Sequence, residues 1–155
     1  IIQKTVREFR AVEHRIEFVE EIRGVRYYND SKGTNPDAAI QGIKAMTRPT
    51  FVIGGGYDKG SEYDDWIGEF GQKVKKLVLL GQTAEKIAAC ARKHGFQDIV
   101  FVSDLKEAIS YCAKEAKPGD AECLKIMKNE GGFLKNWYVS WITGIDTKSE
   151  RYGIE

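Results

Sequence analysis

The stretch Pro49-Thr50-Phe51-Val52-Ile53-Gly54-Gly55-Gly56-Tyr57-Asp58-Lys59-Gly60 decides the fold. Thr50 to Ile53 is a short β-favouring run bounded by Pro49 and Gly54, without the polar alternation of a strand that faces water on one side. Such a run predicts a strand buried on both faces, and strands of that kind belong to parallel sheets covered by helices. The glycine loop that follows would lie at the carboxyl end of the strand, the edge at which open α/β sheets bind ligands.

On the amino-terminal side, Arg15 to Ile22 and Val25 to Tyr28 are rich in β-branched and aromatic residues and are separated by Arg23-Gly24, a hairpin signal. Two antiparallel strands are expected there. Asn29-Asp30-Ser31-Lys32-Gly33-Thr34-Asn35-Pro36 follows, with Asn35 suited to cap a helix over 36–45 and Pro36 to its first position. On the carboxyl side the pattern predicts helices over 62–74, 84–94 and 104–116, with strands over 77–80 and 99–102. This alternation implies a Rossmann-like, three-layer α/β domain: a mostly parallel sheet with helices on its faces, preceded by an antiparallel hairpin. Residues 121–130 carry a helical pattern and 137–142 that of a late strand. Residues 1–13 read as the end of a helix or linker, so the chain is expected to be part of a longer protein.

A length of 155 residues suits one domain with a core of its own. Hydrophobic residues at 42% and charged residues at 30% exclude disordered and coiled-coil classes. Lys plus Arg (24) nearly balances Asp plus Glu (23), so no global field attracts nucleic acid or an anionic membrane, and any anion site must be local. No apolar run approaches the ~20 residues of a membrane span, and the first residues lack a signal-peptide pattern. Cys90, Cys112 and Cys123 are odd in number and without CxxC spacing, which fits structural thiols in a reducing cytoplasm.

Two loops carry candidate chemistry. In Gly54 to Gly60, glycines such as Gly55 and Gly56 let backbone N–H groups approach an anion, and Lys59 adds a positive charge beside Asp58. The same residues also fit a tight βα turn with a solvated lysine, and the loop is neither a Walker loop nor a dinucleotide fingerprint. The second loop, Asn29 to Asn35, places Asp30, Ser31, Lys32 and Thr34 before a helix start, where N–H donors suit a carboxylate or phosphate. An Asx turn and N-cap without ligand is the competing reading. Arg15 could stack on a flat base or pair with phosphate, whereas His94 ends a helix and is assigned no chemistry. Trp137, Tyr138 and Trp141 suit a core or an interface better than a nucleic-acid platform, and no metal-ligand spacing or catalytic triad is evident.

Glu13-His14-Arg15-Ile16-Glu17-Phe18-Val19, Asn29-Asp30-Ser31-Lys32-Gly33-Thr34-Asn35 and Gly55-Gly56-Tyr57-Asp58-Lys59-Gly60 together resemble the C-terminal domain of the Mur ligases. Within that family they are most similar to the branch that adds D-glutamate to UDP-N-acetylmuramoyl-L-alanine in peptidoglycan synthesis. The resemblance covers about Arg7 to Asp120. It implies that residues 1–13 lead from a central domain, 14–120 form the C-terminal domain, and 121–155 are an atypical tail. It further implies that Arg15 and Asp30 contact the nucleotide, that Lys32, Thr34 and Lys59 hold D-glutamate, and that Asn29, Ser31, Asn35, Gly55, Gly56 and Asp58 support them. ATP and magnesium are the implied cofactors. The metal, the P-loop and the uridine nucleotide are held mainly by other domains, so this chain alone is expected to be inactive.

After Asp120 the resemblance breaks. The family continues with an apolar strand and a serine-bearing segment that helps bind D-glutamate, where this chain reads Ala121-Glu122-Cys123-Leu124-Lys125-Ile126. Loss of the final strand is therefore expected, with Trp137, Tyr138 and Trp141 covering the gap or pairing with a second copy. The alternative function is a non-catalytic α/β binding or interaction module.

Overall fold

The computed structural model of the chain describes residues 16–31 and 35–127. The hairpin is β1 (Glu17–Ile22) and β2 (Val25–Asn29), antiparallel, with Ile22 paired to Val25. Arg23 and Gly24 have φ of 51° and 79°, both positive as the twist of a two-residue hairpin turn requires. Gly24 is further constrained by close approach to Pro118, and its carbonyl accepts from the Gly119 N–H at 2.9 Å.

α1 (Pro36–Ala45) begins as its sequence dictates, with Asn35 Oδ1 accepting from the Ala38 N–H at 2.8 Å and proline in the first turn. β3 (Thr50–Gly56), α2 (Asp64–Gly68), β4 (Val74–Leu80), α3 (Ala84–Lys93), β5 (Ile99–Phe101), α4 (Leu105–Glu115) and β6 (Ala121–Met127) follow. The sheet order is β1-β2-β6-β3-β4-β5, and every pairing except β1 with β2 is parallel.

Alternating residues of the central strands supply two cores. Phe51, Ile53 and Val78 pack with Ile22, Val25 and Tyr27 against Leu105, Ala108, Ile109 and Cys112 of α4. Val52, Leu77 and Leu79 face the opposite side, against Ala39 and Ile43 of α1, Trp66 and Ile67 of α2, and Ile87, Ala88 and Ala91 of α3. Three helices therefore cover one face and α4 the other, giving the expected three layers. Among the described residues no helix is long and apolar enough to cross a membrane.

Two expectations are corrected. The helix predicted over 62–74 is only five residues long, because Gly68 and Gly71 weaken its continuation and Gly71 turns the chain at φ 46°. The apolar residues behind that pattern are buried all the same: Trp66 and Phe70 meet edge to face at 5.2 Å, as do Phe70 and Phe96.

The second correction is larger. Residues 121–127 form β6 rather than a helix, so the final strand is present. It fills the middle of the sheet, pairing with Arg26–Asn29 on one side and Thr50–Gly56 on the other. Two strands that would otherwise expose unpaired edges impose this conformation, and non-local pairing overrides a local helical pattern. Glu122, Ala121 and Cys123 are buried there. Burial, together with the charge of Glu122, pushes the Tyr27 hydroxyl and the Cys112 thiol well above their ordinary pKa values. The proposed tail anchors Trp137, Tyr138 and Trp141, and the expected strand over 137–142, lie outside the described residues.

Asp120 holds the start of β6. Its Oδ2 accepts from Lys75 Nζ at 2.7 Å and from the Lys117 N–H at 2.9 Å, while its backbone carbonyl accepts from the Arg26 N–H at 3.2 Å.

Candidate functional site

β2, β6 and β3 run parallel and side by side, so their carboxyl ends open on one edge. The loops after β2 and β3, far apart in sequence, lie there with only β6 between them, about 10 Å apart at the spacing of adjacent strands. The connections before β3, β4 and β5 pass on one face and the last returns across the other to insert β6, which makes this edge a place where open sheets form ligand crevices.

In the first loop, Asn29 is fully buried, and its Oδ1 accepts from the Ser31 N–H at 3.1 Å, an Asx turn. Its Nδ2 has no partner among the described residues. Asp30 is 2% exposed, and its Oδ1 accepts from the Ile16 N–H at 3.2 Å, tying the loop to the start of the hairpin. Asn35 closes the loop as the cap of α1, whose positive end faces the same edge. Arg15, Lys32 and Thr34 lie outside the described residues.

The second loop owes its glycines to packing. Gly55 has φ 124°, and a Cβ there would run into the Leu80 carbonyl at the end of β4. Gly56, at φ 113°, lies so close to Gly81 that a Cβ on Gly81 would meet its backbone at 3.0 Å. The Gly56 carbonyl accepts from the Thr83 N–H at 3.2 Å and from its hydroxyl at 3.4 Å, fastening the loop to α3. Beyond this, Asp58 Oδ1 accepts from the Gly60 N–H at 2.7 Å, while Tyr57 and Lys59 are exposed.

The tight-turn reading is thus satisfied at Gly55 and Gly56 while Lys59 remains accessible at the loop tip. Lys59 makes no ion pair among the described residues.

Across residues 14–125 the chain matches the family model described as "Mur ligase, glutamate ligase domain". The chain belongs to the Mur ligase family. It is 55% identical over 136 residues to the UDP-N-acetylmuramoylalanine–D-glutamate ligase of Lachnoclostridium phytofermentans, which covers 88% of this chain and 30% of that protein. The ligase of the same name from Lachnospira eligens is 50% identical over 137 residues, with the same coverage of 88% and 30%. The chain therefore spans about 30% of the length of these curated relatives. A murein peptide ligase from Psychrobacter arcticus shares the fold at a TM-score of 0.61 and 15% identity, over 88% of this chain and 32% of that one. So does a folylpolyglutamate synthase from Mycobacterium tuberculosis, complexed with ADP, at a TM-score of 0.59 and 14% identity, over 83% and 32%.

Two features of this Mur ligase domain escape a reading of the sequence. Lys86 of α3 lies over the Tyr63 ring, 5.6 Å from its centroid, and 3.8 Å from Asp58, placing a second cation beside the glycine loop. β6 itself is the other, since its place between the two loops depends on pairing across some seventy and ninety residues of chain. For Lys86 the sequence carries no signal, and for β6 residues 121–130 carry a helical pattern.

Proposed function

We propose that the chain is the C-terminal domain of a cytoplasmic, ATP-dependent ligase that adds D-glutamate to UDP-N-acetylmuramoyl-L-alanine, and that it does not turn over alone. The observation that carries this reading is the convergence of the loops after β2 and β3 on one edge across β6, in a chain that is 55% identical to a ligase of that name. In this reading Arg15 and Asp30 contact the nucleotide, and Lys32, Thr34 and Lys59 hold the carboxylates of D-glutamate. Asn29, Ser31, Asn35, Gly55, Gly56 and Asp58 shape the two loops.

A substrate carboxylate takes the γ-phosphoryl group of ATP, releasing ADP. The amine of D-glutamate then attacks the acyl phosphate, and the tetrahedral intermediate, after losing the amine proton, collapses to the amide as its C–O bond to phosphate breaks and inorganic phosphate leaves. Such chemistry rests on positioning and charge stabilisation. The domain's share is to hold the amine donor by its carboxylates, leaving the nitrogen lone pair aimed at the acyl carbon, and to close one wall of a cleft against water.

Among the described residues no three metal-ligating side chains meet at this edge, so magnesium is assigned to the central domain and no step is routed through it here.

The test uses the full-length parent enzyme. Lys59→Ala is expected to raise the KM for D-glutamate about tenfold or more with little change in that for ATP, because a carboxylate loses a charge-assisted hydrogen bond. An unchanged KM for D-glutamate returns Lys59 to a solvated turn. The isolated chain should release no ADP in the presence of acceptor and D-glutamate, and release dependent on both would overturn its assignment as a non-catalytic domain.

A further inference from the structure

Away from the loop edge, three potential metal ligands meet where α2 packs on the end of α3. Cys90 and His94 are four residues apart, so the last turn of α3 and its cap present both on one face. Asp64, the first residue of α2, reaches them from the neighbouring helix: its Oδ1 lies 2.9 Å from His94 Nε2 and 3.0 Å from Lys93 Nζ. One sulfur, one imidazole nitrogen and one carboxylate oxygen all lie within 4.8 Å of one another. We propose that Asp64, Cys90 and His94 form a binding site for a divalent cation of the zinc class.

The donor set selects the ion. A thiolate and an imidazole favour zinc or cobalt over magnesium and calcium, which prefer all-oxygen shells. Zinc takes sulfur at ~2.3 Å and nitrogen or oxygen at ~2.0–2.2 Å, so tetrahedral ligands stand roughly 3.5 Å apart. A trio within 4.8 Å reaches that spacing by side-chain rotation, without moving a helix. Three protein ligands leave the fourth position for water.

The surroundings favour a cation. The negative end of α3 lies at His94, the residue that follows its last turn. The Asp64 carboxylate is turned toward the cluster, with Oδ1 between His94 Nε2 and Lys93 Nζ. The incoming cation displaces the Cys90 thiol proton, which leaves to solvent as the metal–sulfur bond forms. Lys93 is the opposing group. Its side chain is 73% exposed, and its ammonium can exchange the carboxylate for water when the metal arrives.

The site is independent of the proposed ligase role. Thr83, just before α3, contacts Gly56 of the glycine loop, so the ten residues of α3 separate the two places by about 15 Å. Cys112 and Cys123 are buried elsewhere and do not compete.

The test is titration of the full chain, reduced, without an affinity tag and stripped of metal, with Co2+ as spectroscopic probe. Binding should give one equivalent of tetrahedral d–d absorption and a sulfur-to-cobalt charge-transfer band, both removed by Zn2+. Cys90→Ser should abolish the charge-transfer band, and His94→Ala should weaken Co2+ binding about tenfold or more. Lys93→Met, which removes the competing ammonium, should leave affinity unchanged or raise it several-fold. Circular dichroism of each variant confirms the fold, so that loss of binding reports on ligation. Absence of the bands at millimolar Co2+, or a charge-transfer band that survives in Cys90→Ser, overturns the proposal.

Discussion

Ending the chain after Asp120 removes β6 and tests whether that strand holds this sheet together. β6 is registered against four residues of β2 and seven of β3, so its loss leaves both strands with unpaired N–H and C=O groups and divides the sheet into a hairpin and a three-stranded remainder. At roughly one ladder bond per registered residue and ~1 kcal/mol net for each, about 10 kcal/mol is at stake. The whole stability of a domain is about 5–15 kcal/mol. Loss of the buried Ala121 and Cys123 side chains adds to the deficit. The truncated chain is therefore expected to lose its cooperative thermal transition by circular dichroism and calorimetry, whereas a chain ending after Met127 should retain one. A residue 1–120 chain that melts cooperatively at the full chain's Tm would refute the central place of β6.

Other expectations follow from single contacts. Gly55→Ala forces φ 124° on a residue with a Cβ and drives that Cβ into the Leu80 carbonyl, so denaturant melts should show a loss on the order of 3 kcal/mol. A neutral effect would mean the loop relaxes freely. Asp120→Ala removes the acceptor of both Lys75 Nζ and the Lys117 N–H and should cost about 2 kcal/mol, toward the low end for charged bonds because the Lys75 side chain is 38% exposed. A Tm lowered by about 4–8 °C is the corresponding reading. The Asp64 carboxyl is held down to about 2, chiefly by His94 and then Lys93, and Ser103 N–H and hydroxyl bonds hold that of Glu107 below the ordinary carboxylate range. Groups with lowered folded-state pKa stabilise above their unfolded pKa and lose that contribution as pH falls through the folded value. The Tm advantage of the wild type over Asp64→Asn/Glu107→Gln should thus be full above about pH 5 and fade toward about pH 2. A gap independent of pH would sink the assignment.

Local physics made much of this domain legible in its sequence. Arg23-Gly24 specified a tight hairpin, Asn35-Pro36 the start of α1, and the apolar run at Thr50 to Ile53 a strand buried on both faces. Each rests on φ preference, a cap or burial that neighbours within a few residues decide. The Mur ligase motifs around Asn29–Asn35 and Gly55–Gly60 were also visible, since loop residues carry their chemistry in their own order along the chain.

Tertiary structure decided the rest. Ala121–Met127 carries a helical pattern and becomes the central strand because β2 and β3 offer it two ladders at once, a gain no local propensity contains. The same insertion sets two distant loops on either side of one strand end. Gly55 and Gly56 look like anion-cradling residues in sequence, and only the approach of Leu80 and Gly81 reveals a packing need for them. Cys90 and His94, given no metal role by their spacing alone, gain one only when the carboxylate of Asp64 arrives from another helix. Spacing along one chain reports only what a single helix or loop can gather, whereas ligands and strand partners from different elements meet through the packing of the sheet and its helical layers.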